Sequence, residues 1–286
     1  MIRIGTRGSA LALAQARIVA DALATETEIV VVRTAGDVTS RPISELGDGA
    51  FVVALQAALA RGDVDVAVHS LKDLPTSERA DLSIAAIPPR EDPRDVLITA
   101  TRGGLDSLPH GARVGTSSPR RTALLRAARP DLRFTDIRGN VDTRVRKVRT
   151  GEVDATVLAL AGLRRLGVEV AEIEVLSTEV MLPAPGQGAL AVECRARDDA
   201  IRDALAKLDD PPSRIAVEIE RALLRDLGAS CALALGALAT VDRGCIQLDA
   251  ALATEAGISR VRVTRSDPTL VVREAAARLR LVAHAV

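Results

Sequence analysis

The chain opens on an apolar alternation, Met1-Ile2-Arg3-Ile4-Gly5, which predicts a strand. Ala10 to Ala24 follows as an Ala/Leu-rich helical stretch, interrupted by Gln15, Arg17 and Asp21. Those interruptions fit a well-buried helix of a soluble protein. No apolar run approaches the roughly 20 residues needed to cross a bilayer. Strand patterns keep alternating with helical ones along most of the chain, which predicts an α/β protein with mainly parallel sheets.

The pattern repeats itself. Arg3-Ile4-Gly5-Thr6 recurs as Arg113-Val114-Gly115-Thr116, each an apolar strand running into Gly-Thr, a small polar loop and an Ala/Leu-rich helix. A second echo follows in the same order: Arg61-Gly62-Asp63-Val64-Asp65-Val66-Ala67-Val68 parallels Thr150-Gly151-Glu152-Val153-Asp154-Ala155-Thr156-Val157. Both read as a helix end, a Gly stop, an acidic turn and a buried strand. Two related lobes are expected, with chemistry on the loops that follow the echoed strands.

The proline-punctuated run Pro88 to Asp95 suits a linker between the lobes, and Pro183-Ala184-Pro185-Gly186-Gln187-Gly188 suits the return crossing. Pro211-Pro212 precedes a last helix and a small terminal unit. That unit shows strand patterns near Ile246–Ala253 and Arg260–Thr264, then a helix from about Leu270 to Ala283. The expected division is 1–90 with 189–207 for the first lobe, 91–188 for the second, and 211–286 for a compact α/β third domain.

Composition narrows the function. Of 286 residues 48% are apolar, and 38 Lys plus Arg balance 38 Asp plus Glu, which argues against a general nucleic-acid or membrane-surface binder. With two Phe, no Tyr and no Trp there is no material for a base-stacking platform. Cys194, Cys231 and Cys245 form no CxxC, and the N-terminus shows no signal-peptide pattern. Reduced thiols in a cytoplasmic setting are expected. His69, His110 and His284 lack metal-ligand spacing, so no metal is expected.

Candidate chemistry gathers at the strand ends. Ser9 can cap the helix that follows Thr6-Arg7-Gly8, placing Arg7 beside a positive helix end suited to carboxylate or phosphate. In His69-Ser70-Leu71-Lys72-Asp73, the Lys–Asp neighbours could form an acid/base pair, through the ammonium holding the carboxylate ionised or through burial. His69 itself reads as a satisfied strand-end histidine. In Gly115-Thr116-Ser117-Ser118-Pro119-Arg120-Arg121 two arginines oppose the dipole of the helix they open, a conflict that a bound anion would resolve. Arg138, Arg144, Arg164 and Arg165 add to them, and several arginines on ligand-side loops of a neutral chain suggest a polyanion held by bidentate contacts. Neither GxxxxGK[ST] nor a GxGxxG after a strand is present, so a nucleotide lacks its usual cradle.

Ile4 through Ser9, Ala67 through Pro75, Val114 through Arg121, Ile137 through Arg144, Leu158 through Gly167 and Pro183 through Ala189 together resemble the hydroxymethylbilane synthase (porphobilinogen deaminase) family, over nearly the whole chain and in order. The HSxKDxP, GTSSxRR, RGNxxTR and PGQGA patterns are jointly very specific. The resemblance implies three α/β domains, the first two like the lobes of periplasmic binding proteins. It implies head-to-tail joining of four porphobilinogen molecules with loss of ammonia, and release of hydroxymethylbilane by water. It also implies a dipyrromethane cofactor in thioether linkage, at Cys231. Lys72, Ser118, Arg120 and Arg121 would hold the cofactor, with Asp73. Arg7, Ser9, Arg138, Arg144, Arg165 and Gln187 would bind substrate. Asp73 would be the central catalyst, hydrogen-bonding pyrrole N–H groups and stabilising the cation left by ammonia.

The family resemblance further implies a cytoplasmic monomer that hands its product to uroporphyrinogen-III synthase, with no nucleic acid and no membrane involved. Four departures from the family pattern stand out: Ala229-Ser230 replaces Gly-Gly, Ala234 stands where a Pro is common, Asp48 where a Lys is frequent, and Ala10 where a Pro is frequent. A cofactor-free paralogue acting as a two-lobed anion-binding protein is the alternative reading.

Overall fold

The computed structural model describes residues 1–32, 52–77, 79–100, 103–170, 172–228 and 233–283. The chain divides into two compact units, Met1–Glu91 with Gly188–Ile215, and Asp92–Gln187 with Ala216–Val286.

The first unit is built on a five-stranded sheet. Its strands are β1 (Ile2–Thr6), β2 (Thr27–Val31), β3 (Val66–Ser70), β4 (Leu82–Ala86) and the late strand β10 (Leu190–Arg195), in the order β2-β1-β3-β10-β4. β1 pairs parallel with β2 and β3, whereas β10 runs against both β3 and β4. Helices α1 (Ala10–Ala22), α2 (Val53–Arg61) and α6 (Asp199–Ala206) accompany it. Ile4, Val66, Val68 and Val192 bury one face with α1, and Ala67, Val64 and Leu82 bury the other with α2. A sheet covered on both faces explains why β3 reads as an unbroken apolar run.

The second unit repeats this topology. β5 (Asp95–Thr99), β6 (Arg113–Gly115), β7 (Arg133–Thr135), β8 (Ala155–Ala159) and β9 (Ile173–Val175) lie in the order β7-β6-β8-β5-β9. Again the strand of the echoed motif, here β6, pairs parallel with its two neighbours, and again one strand, β5, runs against the rest. Each reversed strand follows directly on one of the Pro-rich crossings. Helices α3 (Pro119–Ala128), α4 (Val141–Arg149) and α5 (Leu160–Leu166) pack with this sheet.

A matched clasp explains the sequence echo. Arg3 donates from its backbone N at 3.1 Å and its Nη2 at 2.8 Å to Asp65, and from Nη2 at 2.8 Å to Gly62 O. Arg113 donates from N at 2.7 Å and Nη2 at 3.2 Å to Asp154, and from Nη2 at 2.9 Å to Gly151 O. Gly62 and Gly151 both take the left-handed conformation, with φ of 83° and 72°, which glycine adopts without a Cβ penalty.

The expected small terminal unit has its own antiparallel sheet, β11 (Leu235–Asp242), β12 (Cys245–Thr254) and β13 (Gly257–Arg265), covered by α7 (Pro211–Asp226) and α8 (Pro268–Ala283). The strand patterns read from sequence correspond to β12 and β13, whereas β11 was not anticipated. Most of this terminal part groups with the second lobe in one unit, and its Ala251 joins that lobe's core.

Candidate functional site

In the first unit the candidate residues lie at the carboxyl ends of β1 and β3. Beyond Thr6 the chain turns through half-buried Arg7 to Ser9, whose hydroxyl accepts from Ala12 N at 3.3 Å and caps α1 as expected. The first turn of α1 carries no acidic side chain, so the positive helix end and the Arg7 charge add rather than cancel.

β3 runs into a tight 3-10 turn, Leu71–Asp73. Buried Leu71 anchors it by donating to Ala189 O at 3.0 Å, and Leu74 N closes it on Leu71 O at 3.1 Å. Lys72 is half-buried and Asp73 is exposed, so of the two arrangements expected for this pair the buried carboxylate is not the one present. Gln15, buried on α1, donates from Nε2 to Ser70 Oγ at 2.9 Å. That bond ties the helix behind Arg7 and Ser9 to the strand end before Lys72 and Asp73. His69 is buried with Nε2 3.2 Å from Glu193 Oε2, and Gln56 Nε2 donates to Glu193 at 2.9 Å. It is a core histidine.

In the second unit Ser118 caps α3, its Oγ accepting from Arg121 N at 3.4 Å, with Pro119 in the first turn. The arginine pair here requires a correction to the sequence reading. The conflict with the helix dipole is met, in part, by an internal anion. Asp95, placed by sequence at the end of a linker, is the first residue of β5 and fully buried. Its Oδ2 accepts from Arg120 Nη1 at 2.7 Å, and its Oδ1 accepts from Arg121 Nη2 at 2.6 Å. Burial alone would raise the Asp95 pKa, but the charges of Arg120 and Arg121 outweigh it and hold the carboxyl well below its ordinary value.

Gln187, expected to contact substrate, is also fully buried. Its Nε2 donates to Pro93 O at 2.7 Å and to Asp95 Oδ1 at 3.0 Å. The amide therefore supports Asp95. No sequence pattern marks Asp95 as functional. Its one signal is an acid standing directly before the apolar run Val96-Leu97-Ile98.

Arg144, on α4, donates from Nε to Gly139 O at 2.9 Å. Burial, and secondly the like charge of Arg121, press its pKa below the usual guanidinium value. Arg121 and Arg144 are thus close enough to repel. Arg120 and Arg121 set two positive charges against the single carboxylate of Asp95. Arg138 is exposed after β7, Arg164 is exposed on α5, and Arg165 is half-buried beside it.

Cys231, Ala229, Ser230, Asp48 and His284 lie outside the described residues. Cys194 is buried in β10, where burial pushes its thiol pKa up, and Cys245 is exposed at the start of β12. Among the described residues no group of three or more His, Cys, Asp or Glu side chains could hold a metal ion, and no helix is long and apolar enough to cross a membrane.

Comparison with known proteins places these observations. Residues 2–203 match the family model "Porphobilinogen deaminase, dipyromethane cofactor binding domain", and residues 214–280 match "Porphobilinogen deaminase, C-terminal domain". The chain is 53% identical over 243 residues to a porphobilinogen deaminase of Nocardia farcinica, covering 84% of this chain and 70% of that protein. It is 50% identical over 271 residues to that of Acidothermus cellulolyticus, covering 92% and 82%. Among solved structures, a substrate-binding domain of a putative amino acid ABC transporter from Streptococcus pneumoniae aligns at a TM-score of 0.45 and 11% identity, over 72% of this chain and 90% of that one.

Proposed function

The chain belongs to the porphobilinogen deaminase family, and on that footing we propose that it joins four porphobilinogen molecules head to tail, releasing ammonia, and frees hydroxymethylbilane with water. The family is a transferase with a dipyrromethane cofactor.

The observation that best supports this reading is the excess of cations around Asp95. Each porphobilinogen carries an acetate and a propionate, so a growing chain of them accumulates negative charge. Arg120 and Arg121 leave a surplus of one positive charge after Asp95 is counted, and a carboxylate-rich ligand offsets it. The same surplus fits the carboxylates of the cofactor, which when bound supplies the primer that is extended.

We assign cofactor attachment to Cys231 through a thioether, and the grip on its carboxylates to Lys72, Ser118, Arg120 and Arg121. Arg7, Ser9, Arg138, Arg144 and Arg165 bind the carboxylates of the substrate. Asp73, exposed on its 3-10 turn, is free of the core and accepts hydrogen bonds from pyrrole N–H groups. Its charge stabilises the cation that develops as ammonia departs, and its oxygens move protons at that centre. The reading includes a single chain acting in the cytoplasm and passing its product to uroporphyrinogen-III synthase.

The test is the intact mass of the purified protein under denaturing conditions, followed by peptide mapping. An added mass of two linked pyrrole units on the Cys231 peptide is the expected result. An unmodified mass that persists after incubation with porphobilinogen overturns the reading and leaves a cofactor-free anion-binding protein.

A further inference from the structure

α7 carries a carboxylate where apolar residues would pack more cheaply. Glu220 is fully buried, on a helix whose Ile219 and Leu223 already seat it in the core. Taking a carboxylate out of water costs more than an apolar side chain at the same place, so what Glu220 adds is direction. Its Oε2 accepts from Gly186 N at 2.7 Å and its Oε1 accepts from Ala239 N at 2.9 Å. Two backbone groups from distant parts of the second unit are thereby fixed to one helix.

Gly186 belongs to the loop whose next residue is Gln187, the amide that donates to Asp95. Gly186 and Gly188 flank that amide with φ of 73° and 88°, so the loop holds a shape that other residues resist. A continuous buried series results: Glu220, Gly186, Gln187, Asp95, then Arg120 and Arg121. At its other end α7 finishes at Asp226, shortly before Cys231 in the sequence.

We propose that Glu220 is a positioning residue for cofactor loading: by fixing Gly186 it holds Gln187 on Asp95, and through Asp95 it holds the guanidinium groups of Arg120 and Arg121 that grip the cofactor carboxylates. This rests on the family reading, with Cys231 as the attachment point. Glu220→Gln is the informative variant. The amide retains one acceptor oxygen, but it turns an N–H₂ donor towards a backbone N–H that is also a donor.

The experiment follows attached mass per protein over time, after cofactor-free full-length protein is mixed with porphobilinogen well below its unfolding temperature. Glu220→Gln should load roughly ten-fold or more slowly than the parent protein. Arg113→Ala, which breaks the Asp154 clasp in the same unit without touching the buried series, serves as the stability control and should load at the parental rate. If Glu220→Gln fails to fold, Glu220→Asp is read in the same way, since it keeps both acceptor oxygens one methylene short. Parental loading of the Glu220 variant overturns the inference alone, and so does equal slowing in Arg113→Ala. Failure of the parent protein to acquire any mass overturns the family reading of Cys231 together with it.

Discussion

Arg121 grips Asp95 with two donors, Nη2 at 2.6 Å and Nε at 3.2 Å, both on Oδ1. With Arg120 on the other oxygen, one buried carboxylate orients two guanidinium groups while cancelling only one of their charges. On the proposed reading such a pair is preorganised for anions: its guanidinium groups are already held in place on Asp95, and the residual charge favours a carboxylate over a neutral group.

Asp95→Asn should therefore be costly in two ways. The amide preserves shape but leaves two buried cations without a counter-charge, and breaking a buried ion pair from one side costs about 3–5 kcal/mol. Urea unfolding should show a loss of that order, together with poor cofactor retention. A variant as stable as the parent protein would mean that the arginines do not depend on Asp95.

The lobes were legible because the same physical problem is solved twice. Arg3 and Arg113 each need an Asp and, three positions before it, a glycine carbonyl, so the clasp left a repeated signature in the sequence. Ser9, Ser118 and the glycine stops were legible because capping is local. Asp95 was not, because its partners lie 25 and 26 positions away and it closes a proline-punctuated run that reads as linker. Gln187 entered through the family resemblance alone, and its bond to Asp95 spans 92 positions, so no local pattern announces it. β11 was missed because Leu235-Gly236-Ala237 lacks the β-branched residues that announce a strand.

The Arg3–Asp65 clasp gives a pH prediction. The Arg3 hydrogen bond, with further help from Arg195, holds the Asp65 pKa at about 2 against an ordinary value of 3.8. A carboxyl whose folded pKa is depressed stabilises the protein above its unfolded pKa and loses that contribution as pH falls through the folded value. After allowance for screening the contribution is about 1–2 kcal/mol. Asp65→Asn should lower Tm at pH 7, with the gap to the parent protein closing between about pH 4 and pH 2. A gap that stays constant across that range would remove the ionised clasp as its cause.

Gly236 on β11 should tolerate no side chain. A Cβ built there would stand 2.7 Å from Leu182 Cβ and 2.9 Å from Leu182 O, in the segment whose Pro183 O accepts from Ala237 N at 2.9 Å. A backbone carbonyl cannot rotate aside as a side-chain terminus can, so relief requires the strand and the crossing to separate. Gly236→Ala should cost about 1–3 kcal/mol in chemical denaturation. Gly62→Ala, where nothing lies within 4 Å but φ is 83°, should cost only about 1 kcal/mol for its left-handed backbone. Equal costs at the two positions would show that contact with Leu182 is not decisive.

Arg144 separates stability from binding. Burial and the like charge of Arg121 both work against its guanidinium in the cofactor-free protein, and its one defined bond, to Gly139 O, is exposed. Such a bond contributes about 1 kcal/mol or less, so Arg144→Leu should leave the Tm of the cofactor-free protein no lower than that of the parent. Binding should respond in the opposite direction, because a charge-assisted contact to a substrate carboxylate is lost. KM for porphobilinogen should rise roughly ten-fold or more, and its dependence on salt should weaken. A fall in Tm with KM unchanged would make Arg144 a structural residue, and would move the anion-binding role to Arg120 and Arg121 alone.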